Sequence, residues 1–172
     1  MRRRPLLRGA LAALAAGCGP IGGTDAGPAD APRPPDGAVL WDAELELGEG
    51  EDALRPIADG DTLLLARGCQ GSQHVWMALR ARRLDPRGVF IRLALLRAAD
   101  GAQVSVEFYV RLSFEPTGDA LELRGLTLQV DVPDEAIGED LILRGELVDR
   151  TGHGARAERR VQIAWGPEVC GA

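Results

Sequence analysis

From Val104 to Phe114 apolar and polar residues alternate without interruption. Val104, Val106, Phe108, Val110, Leu112 and Phe114 share one parity, and Ser105, Glu107, Tyr109, Arg111 and Ser113 share the other. A period of two sorts side chains onto the two faces of a strand, whereas a helix would scatter the same residues around its axis. The segment is therefore predicted to be a half-buried antiparallel strand, long enough to bend or to switch between sheets. The pattern recurs along the chain. Trp41, Ala43, Leu45 and Leu47 oppose Asp42, Glu44 and Glu46; Val75, Met77 and Leu79 oppose His74, Trp76 and Arg80; Val89, Ile91, Leu93 and Leu95 form another inward face. Leu121 and Leu123 have one parity while Leu126, Leu128 and Val130 have the other, so a bulge or kink is expected at Gly125 between them. Leu141, Leu143 and Leu147 lead through a hairpin loop, Asp149 to Gly154, into Val161, Ile163 and Trp165. Seven or eight such strands with little helical periodicity predict an all-β domain, an antiparallel β-sandwich.

The first 38 residues read differently. Arg2, Arg3, Arg4 and Arg8 precede an apolar stretch, Leu6, Leu7 and Ala10 to Ala16, that is too short to span a bilayer. The stretch ends in Leu14-Ala15-Ala16-Gly17-Cys18, which resembles the lipobox of bacterial lipoproteins, with Ala15 where Leu is usual. The resemblance implies cleavage before Cys18 and lipidation of its thiol, and Gly19 in place of Asp implies sorting to the outer membrane. An ordinary secretory cut after Ala15 is the alternative. Residues 18–38 hold many Pro, Gly, Ala and Asp and almost nothing to bury, which predicts a flexible tether. The expected organisation is thus a signal peptide over 1–17, a lipidated tether over 18–38 and one folded domain over 39–172. In this arrangement the membrane is reached through lipid alone, and multiple acyl chains supply the stable anchoring that a single one does not.

Cysteine arithmetic follows. With Cys18 lipidated, Cys69 and Cys170 remain as a pair in an oxidising compartment and are expected to form a disulfide; two free, buried thiols are the alternative. Neither has a CxxC partner or the surroundings of a catalytic thiol. The formal net charge is −6, and all twenty basic residues are arginines, four of them in the leader. The mature domain is more acidic still, which argues against nucleic-acid binding. Arg80, Arg82, Arg83 and Arg87 form one local basic group, expected to be a solvated strand end and turn. Without lysine there is no Schiff-base or P-loop chemistry, and without asparagine no N-glycosylation sequon.

The order of strands resembles immunoglobulin-like and fibronectin-III-like domains. That topology implies that the chain before the second strand and the chain after the last meet at one end of the sandwich, where Cys69 and Cys170 would bond. A narrower resemblance lies in Gly68-Cys69-Gln70-Gly71-Ser72-Gln73-His74-Val75-Trp76. It is similar to a Gly-x-Gln-Gly-Gly-x-His-Val-Trp segment of uncharacterised bacterial lipoproteins that also carry an Asp-Gly turn, here Asp59-Gly60-Asp61. Cys69 and Ser72 stand where that pattern more often has Pro and Gly. The similarity spans about Leu45 to Pro167 and implies no activity.

Candidate functional residues cluster in that segment. His74 and Trp76 share a strand face, and Gln70, Gly71 and Ser72 form the loop before it. Together Gln70, Ser72, His74 and Trp76 are a possible ligand-binding set, with His74 as polar anchor or metal ligand and Trp76 as stacking surface; structural packing of both rings is the plainer reading. A two-histidine metal site would require His153, in the hairpin loop, to converge on His74. The carboxylates Glu44, Glu46, Glu49, Glu51, Asp52, Asp59, Asp61, Asp131, Asp134, Glu135, Glu139 and Asp140 raise calcium as a secondary possibility, although no EF-hand spacing is present. Ser72, Ser105 and Ser113 are the only serines and none lies in Gly-x-Ser-x-Gly, so no hydrolase site, catalytic residue, cofactor or dedicated metal site is expected. The reading is a non-catalytic envelope lipoprotein presenting a domain to a protein or envelope polymer. A periplasmic metal or small-ligand binder using the His74 and Trp76 end is the alternative.

Overall fold

The computed structural model describes residues 38–68 and 71–168. They form a curled mixed β-sheet with one short helix. The strands are β1 (Glu44–Glu49), β2 (Arg55–Pro56), β3 (Asp61–Arg67), β4 (Gln73–Arg82), β5 (Val89–Arg97), β6 (Phe108–Leu112), β7 (Glu115–Thr117), β8 (Ala120–Gln129), β9 (Leu141–Val148) and β10 (Gly154–Glu168); helix α1 is Pro133–Ala136. The all-β expectation holds. Ten strands replace the expected seven or eight, because β2 and β7 are short edge pieces and β3 was not anticipated. Its run Thr62 to Ala66 is almost wholly apolar, so the sequence shows no alternation there. Leu63 and Leu65 are fully buried while Leu64 is 45% exposed.

Strand β4 organises the sheet. One edge pairs with β8 and the other pairs first with β1, Glu44 opposite Arg82 through Glu49 opposite Met77, and then with β3, Leu65 opposite Val75. β3 runs parallel to β10, a departure from the purely antiparallel expectation, and the sheet continues through β9 and β5 to β6. The curl brings β1 over β9 although the two share no ladder. A Cβ on Gly145 of β9 would lie 2.7 Å from Leu47 Cδ2, 3.2 Å from Leu45 Cδ2 and 3.3 Å from Leu93 Cδ2. Leu47 and Leu93 are fully buried, so the core cannot retreat freely. Gly145→Val is therefore expected to lower stability by about 1–3 kcal/mol through overpacking, read as a shift in the urea midpoint with an unchanged m-value.

The inward faces match the sequence for Val75, Met77 and Leu79, for Val89, Ile91, Leu93 and Leu95, and for Leu141, Leu143 and Leu147, all fully buried. Gly125 has φ +70°, and the β4–β8 register shifts between Met77 and Leu79, which is the expected bulge. The segment Val104–Phe114 is a correction. Only Phe108–Leu112 is a strand, and Val106 is 43% exposed. Before it, Gln103 bridges Leu96 and Ser105 bridges Val130, so the chain crosses from beside β5 to the end of β8 and back. The buried Ser105 hydroxyl accepts the Leu95 N–H at 3.0 Å, a tie that turns the parity of the segment around it. Trp41 and Trp165, expected inward, are 42% and 37% exposed and lie under arginines instead: Arg156 is 3.3 Å from the Trp41 ring centre and Arg67 is 4.1 Å from that of Trp165.

Candidate functional site

The two ends of β10 define two poles. At its start, Gly154 pairs with Val148 and is bonded to Leu40 and Ala43 of the incoming chain. Toward its other end, Trp165 pairs with Leu65, which pairs with Val75. Of the predicted site residues, Ser72, His74 and Trp76 lie at this second pole. Cys69, Gln70 and Cys170 fall outside the described residues, as do Cys18 and the tether up to residue 37. Ser72 closes the hairpin into β4, its carbonyl accepting the Gly68 N–H at 2.7 Å. His74 and Trp76 share the outer face of β4, their rings edge to face at 4.7 Å and 89°. The Nε2 of His74 is buried and has no hydrogen-bond partner among the described residues.

Trp76 faces a surface groove of about 350 Å³. Leu64 and Ala66 of β3 and Gly166 of β10 form its apolar floor with Trp76, and the chain from Glu49 to Arg55 forms its rim. The groove exists because β1 and β3 take turns on the same edge of β4. Gly50 N–H still reaches the Trp76 carbonyl at 2.9 Å, after which β1 leaves and β3 takes its place. At this exchange the Leu64 N–H is left without a strand partner, and the Glu49 carboxylate accepts it through Oε1 at 2.9 Å. The other Glu49 oxygen pairs with the Arg55 guanidinium. Glu49 is buried, and its charge is offset there by the Leu64 N–H on one oxygen and the ion pair with Arg55 on the other. The site thus offers an indole and aliphatic surface with fixed charge at its edge.

Sequence reasoning found Trp76 and His74 but missed Leu64, Ala66 and Gly166, and it named Glu49 only among the carboxylates considered for calcium. A period-two reading of Leu63-Leu64-Leu65 would have turned Leu64 outward; nothing local reveals Gly166 or Glu49, which arrive through long-range pairing.

The other candidates are dispersed. His153 sits at the opposite end of β10 from the groove, some 12 residues or roughly 40 Å away at strand rise, so it does not converge on His74. Its Nδ1 lies 2.8 Å from Asp42 Oδ1. The basic group is paired: Arg80 with Glu46 and Glu122 across strands, both at 2.7 Å, Arg82 with Asp119, Arg83 with Glu44, and Arg87 with Asp85 within the β4–β5 loop. Many of the acidic residues serve the same cross-strand pairs or cap turns, as Asp61 does for the Ala58 N–H and Asp59 for the Arg160 N–H. Among the described residues no three His, Cys, Asp or Glu side chains are grouped to hold a metal ion. No described helix is long and apolar enough to cross a membrane. The chain matches no protein-family model and no curated protein.

Proposed function

We propose that this chain is a lipid-anchored envelope protein whose immunoglobulin-like β-sandwich, without catalytic activity, offers the Trp76 groove to a segment of another protein. The observation that carries the reading is the groove itself: Trp76, Leu64 and Ala66 form an exposed apolar recess at the pole opposite to the one where the incoming chain joins the domain. A tether attached at Ala38 would hold that recess away from the membrane. Apolar recesses with an aromatic floor are where interfaces concentrate their binding energy, and a rim of charged groups excludes water around them.

The sandwich reading is supported by strand order. β1, β4, β8 and β7 follow one another in pairing, as do β10, β9, β5 and β6. With β1 as A, β4 as B, β5 as C, β6 as C′, β7 as D, β8 as E, β9 as F and β10 as G, these runs have the orders A-B-E-D and G-F-C-C′ of immunoglobulin domains. β3 runs along the outer edge of β10 and also pairs with β4, so it joins the two runs at that side. The packing of Gly145 against Leu47 is contact between the two runs.

A photoreactive residue at Leu64 in envelope-localised protein tests the proposal. The expected result is one discrete adduct that is absent when the probe stands at Val106 and falls at least tenfold in Trp76→Ala, the loss of an aromatic hot spot of about 1.4 kcal/mol or more. Equal labelling from both positions, or an adduct indifferent to Trp76, would contradict it. The second reading, a small-ligand binder, is favoured by the unpartnered His74 Nε2 beside Trp76. It predicts that an envelope small-molecule extract shifts the His74 ring resonances while Leu64 gives no protein adduct.

A further inference from the structure

Residues 38–43 precede β1 and are held by the β9–β10 hairpin. Leu40 N–H donates to the Gly152 carbonyl at 2.8 Å, Gly154 N–H to the Leu40 carbonyl at 2.8 Å, and Ala43 N–H to the Gly154 carbonyl at 3.1 Å. Val39 and Trp41 fill the space above Gly154, where a Cβ would lie 2.6 Å from Val39 Cγ1 and 3.0 Å from Trp41 Cε3. Arg156 lies over the Trp41 ring, 3.3 Å from its centre. At the hairpin tip the His153 Nδ1 sits 2.8 and 3.0 Å from the two Asp42 oxygens.

We propose that this arm is a pH-dependent latch, in which the charged imidazole of His153 grips Asp42 and loss of its proton loosens residues 38–43 from the hairpin. Opening would free six residues, adding up to roughly 20 Å of chain between the domain and whatever precedes it. The backbone bonds of the arm are few and at the surface, so its opening free energy belongs to the low end for this fold.

The groups facing His153 all bear on its charge. Asp42 is the main one, its hydrogen bond and then its charge raising the imidazole above its ordinary value of 6.5; Asp149, in the same hairpin, adds to this. Asp42 is in turn held below its ordinary 3.8, first by the His153 hydrogen bond and also by its attraction to His153 and Arg83. Arg83 reaches in from the chain after β4, its Nε donating to the Asp42 carbonyl at 2.9 Å and its Nη1 pairing with Glu44 at 2.6 Å. Because the folded-state value of His153 is raised, its contribution is complete below 6.5 and is lost as pH rises through the raised value. Because that of Asp42 is lowered, its contribution is complete above 3.8 and is lost as pH falls below it. The latch is tightest between those bounds. A neutral imidazole protonated at Nδ1 still donates to Asp42, so the transition is graded.

Amide hydrogen exchange of the full-length protein, corrected for intrinsic rates, reads the latch. Between about pH 5.5 and pH 8.5 the protection of the Leu40, Ala43 and Gly154 amides is expected to fall by about threefold or more while that of core amides such as Leu143 holds. His153→Gln and Asp42→Asn should each give low arm protection that no longer varies over this range. Constant arm protection in the unaltered protein, a fall shared by the core, or pH dependence surviving in His153→Gln would overturn the proposal.

Discussion

Replacing Asp149 by alanine is expected to lower stability by about 2–4 kcal/mol, the loss of several hydrogen bonds to one charged acceptor. Asp149 is 1% exposed and accepts four hydrogen bonds: from Asp85 N–H at 2.8 Å through Oδ2, and from Thr151 N–H at 2.8 Å, Thr151 Oγ1 at 2.7 Å and His153 N–H at 3.0 Å through Oδ1. One carboxylate thereby fixes the β9–β10 hairpin loop and ties it to the β4–β5 loop, where Asp85 also pairs with Arg150 at 2.7 Å. Alanine would leave these part-buried donors without their acceptor, and an unpaired donor costs up to about 1–3 kcal/mol where water cannot replace the partner. Thermal unfolding should move down by about 10 °C or more. Asp149→Asn, which keeps one carbonyl acceptor, should lose clearly less. Burial alone would raise this carboxyl, but the bonds from Asp85, Thr151 and His153 prevail and hold it below 3.8. Its contribution is therefore full above 3.8 and fades as pH falls through its lowered value, so this loop weakens only in acid below that bound.

Removing either Cys69 or Cys170 is expected to lower stability by about 4–5 kcal/mol in the chain-entropy account, since the bond would close a loop of about 100 residues. In the parallel β3–β10 ladder Trp165 lies opposite Leu65 and, after a bulge, Glu168 lies opposite Arg67. Cys69 and Cys170 themselves lie outside the described residues, so the pairing rests on the cysteine count and the oxidising compartment. Cys69→Ser, Cys170→Ser and the double variant should unfold at the same denaturant concentration, because each removes the same constraint. If the single variants differ from one another by more than about 1 kcal/mol, the thiols act separately as small buried hydrophobes.

Alternation made the central strands legible. β4, β5 and β9 bury every leucine, valine and isoleucine of the parity read from the sequence, and Gly125 marked its bulge because no other residue adopts φ +70° at so little cost. Three features were hidden for distinct reasons. β3 was masked by Leu63-Leu64-Leu65, where an outward leucine interrupts the alternation. Val104–Phe114 alternates in sequence, but the chain leaves and rejoins the sheet around Ser105, so Ser105 is buried while Val106 and Leu112 are exposed against the parity read there. Trp41 and Trp165 were read as core because of their hydrophobicity, yet arginines on neighbouring strands stack on them at the surface. The groove was half legible: Trp76 stands in a conspicuous segment, but its floor is assembled from β3 and β10, and its exposed rim depends on Glu49 capping an N–H that becomes orphaned only when β3 replaces β1. Such a residue has no local signature.

The proposal that this domain is carried on a lipid and closed by a disulfide is tested most directly by the intact mass of membrane-extracted protein, before and after reduction and alkylation. The account predicts a chain beginning at Cys18 with added acyl mass and two alkylatable thiols that appear only on reduction. An unacylated chain beginning at Ala16, or thiols at Cys69 and Cys170 that alkylate without reduction, would contradict it.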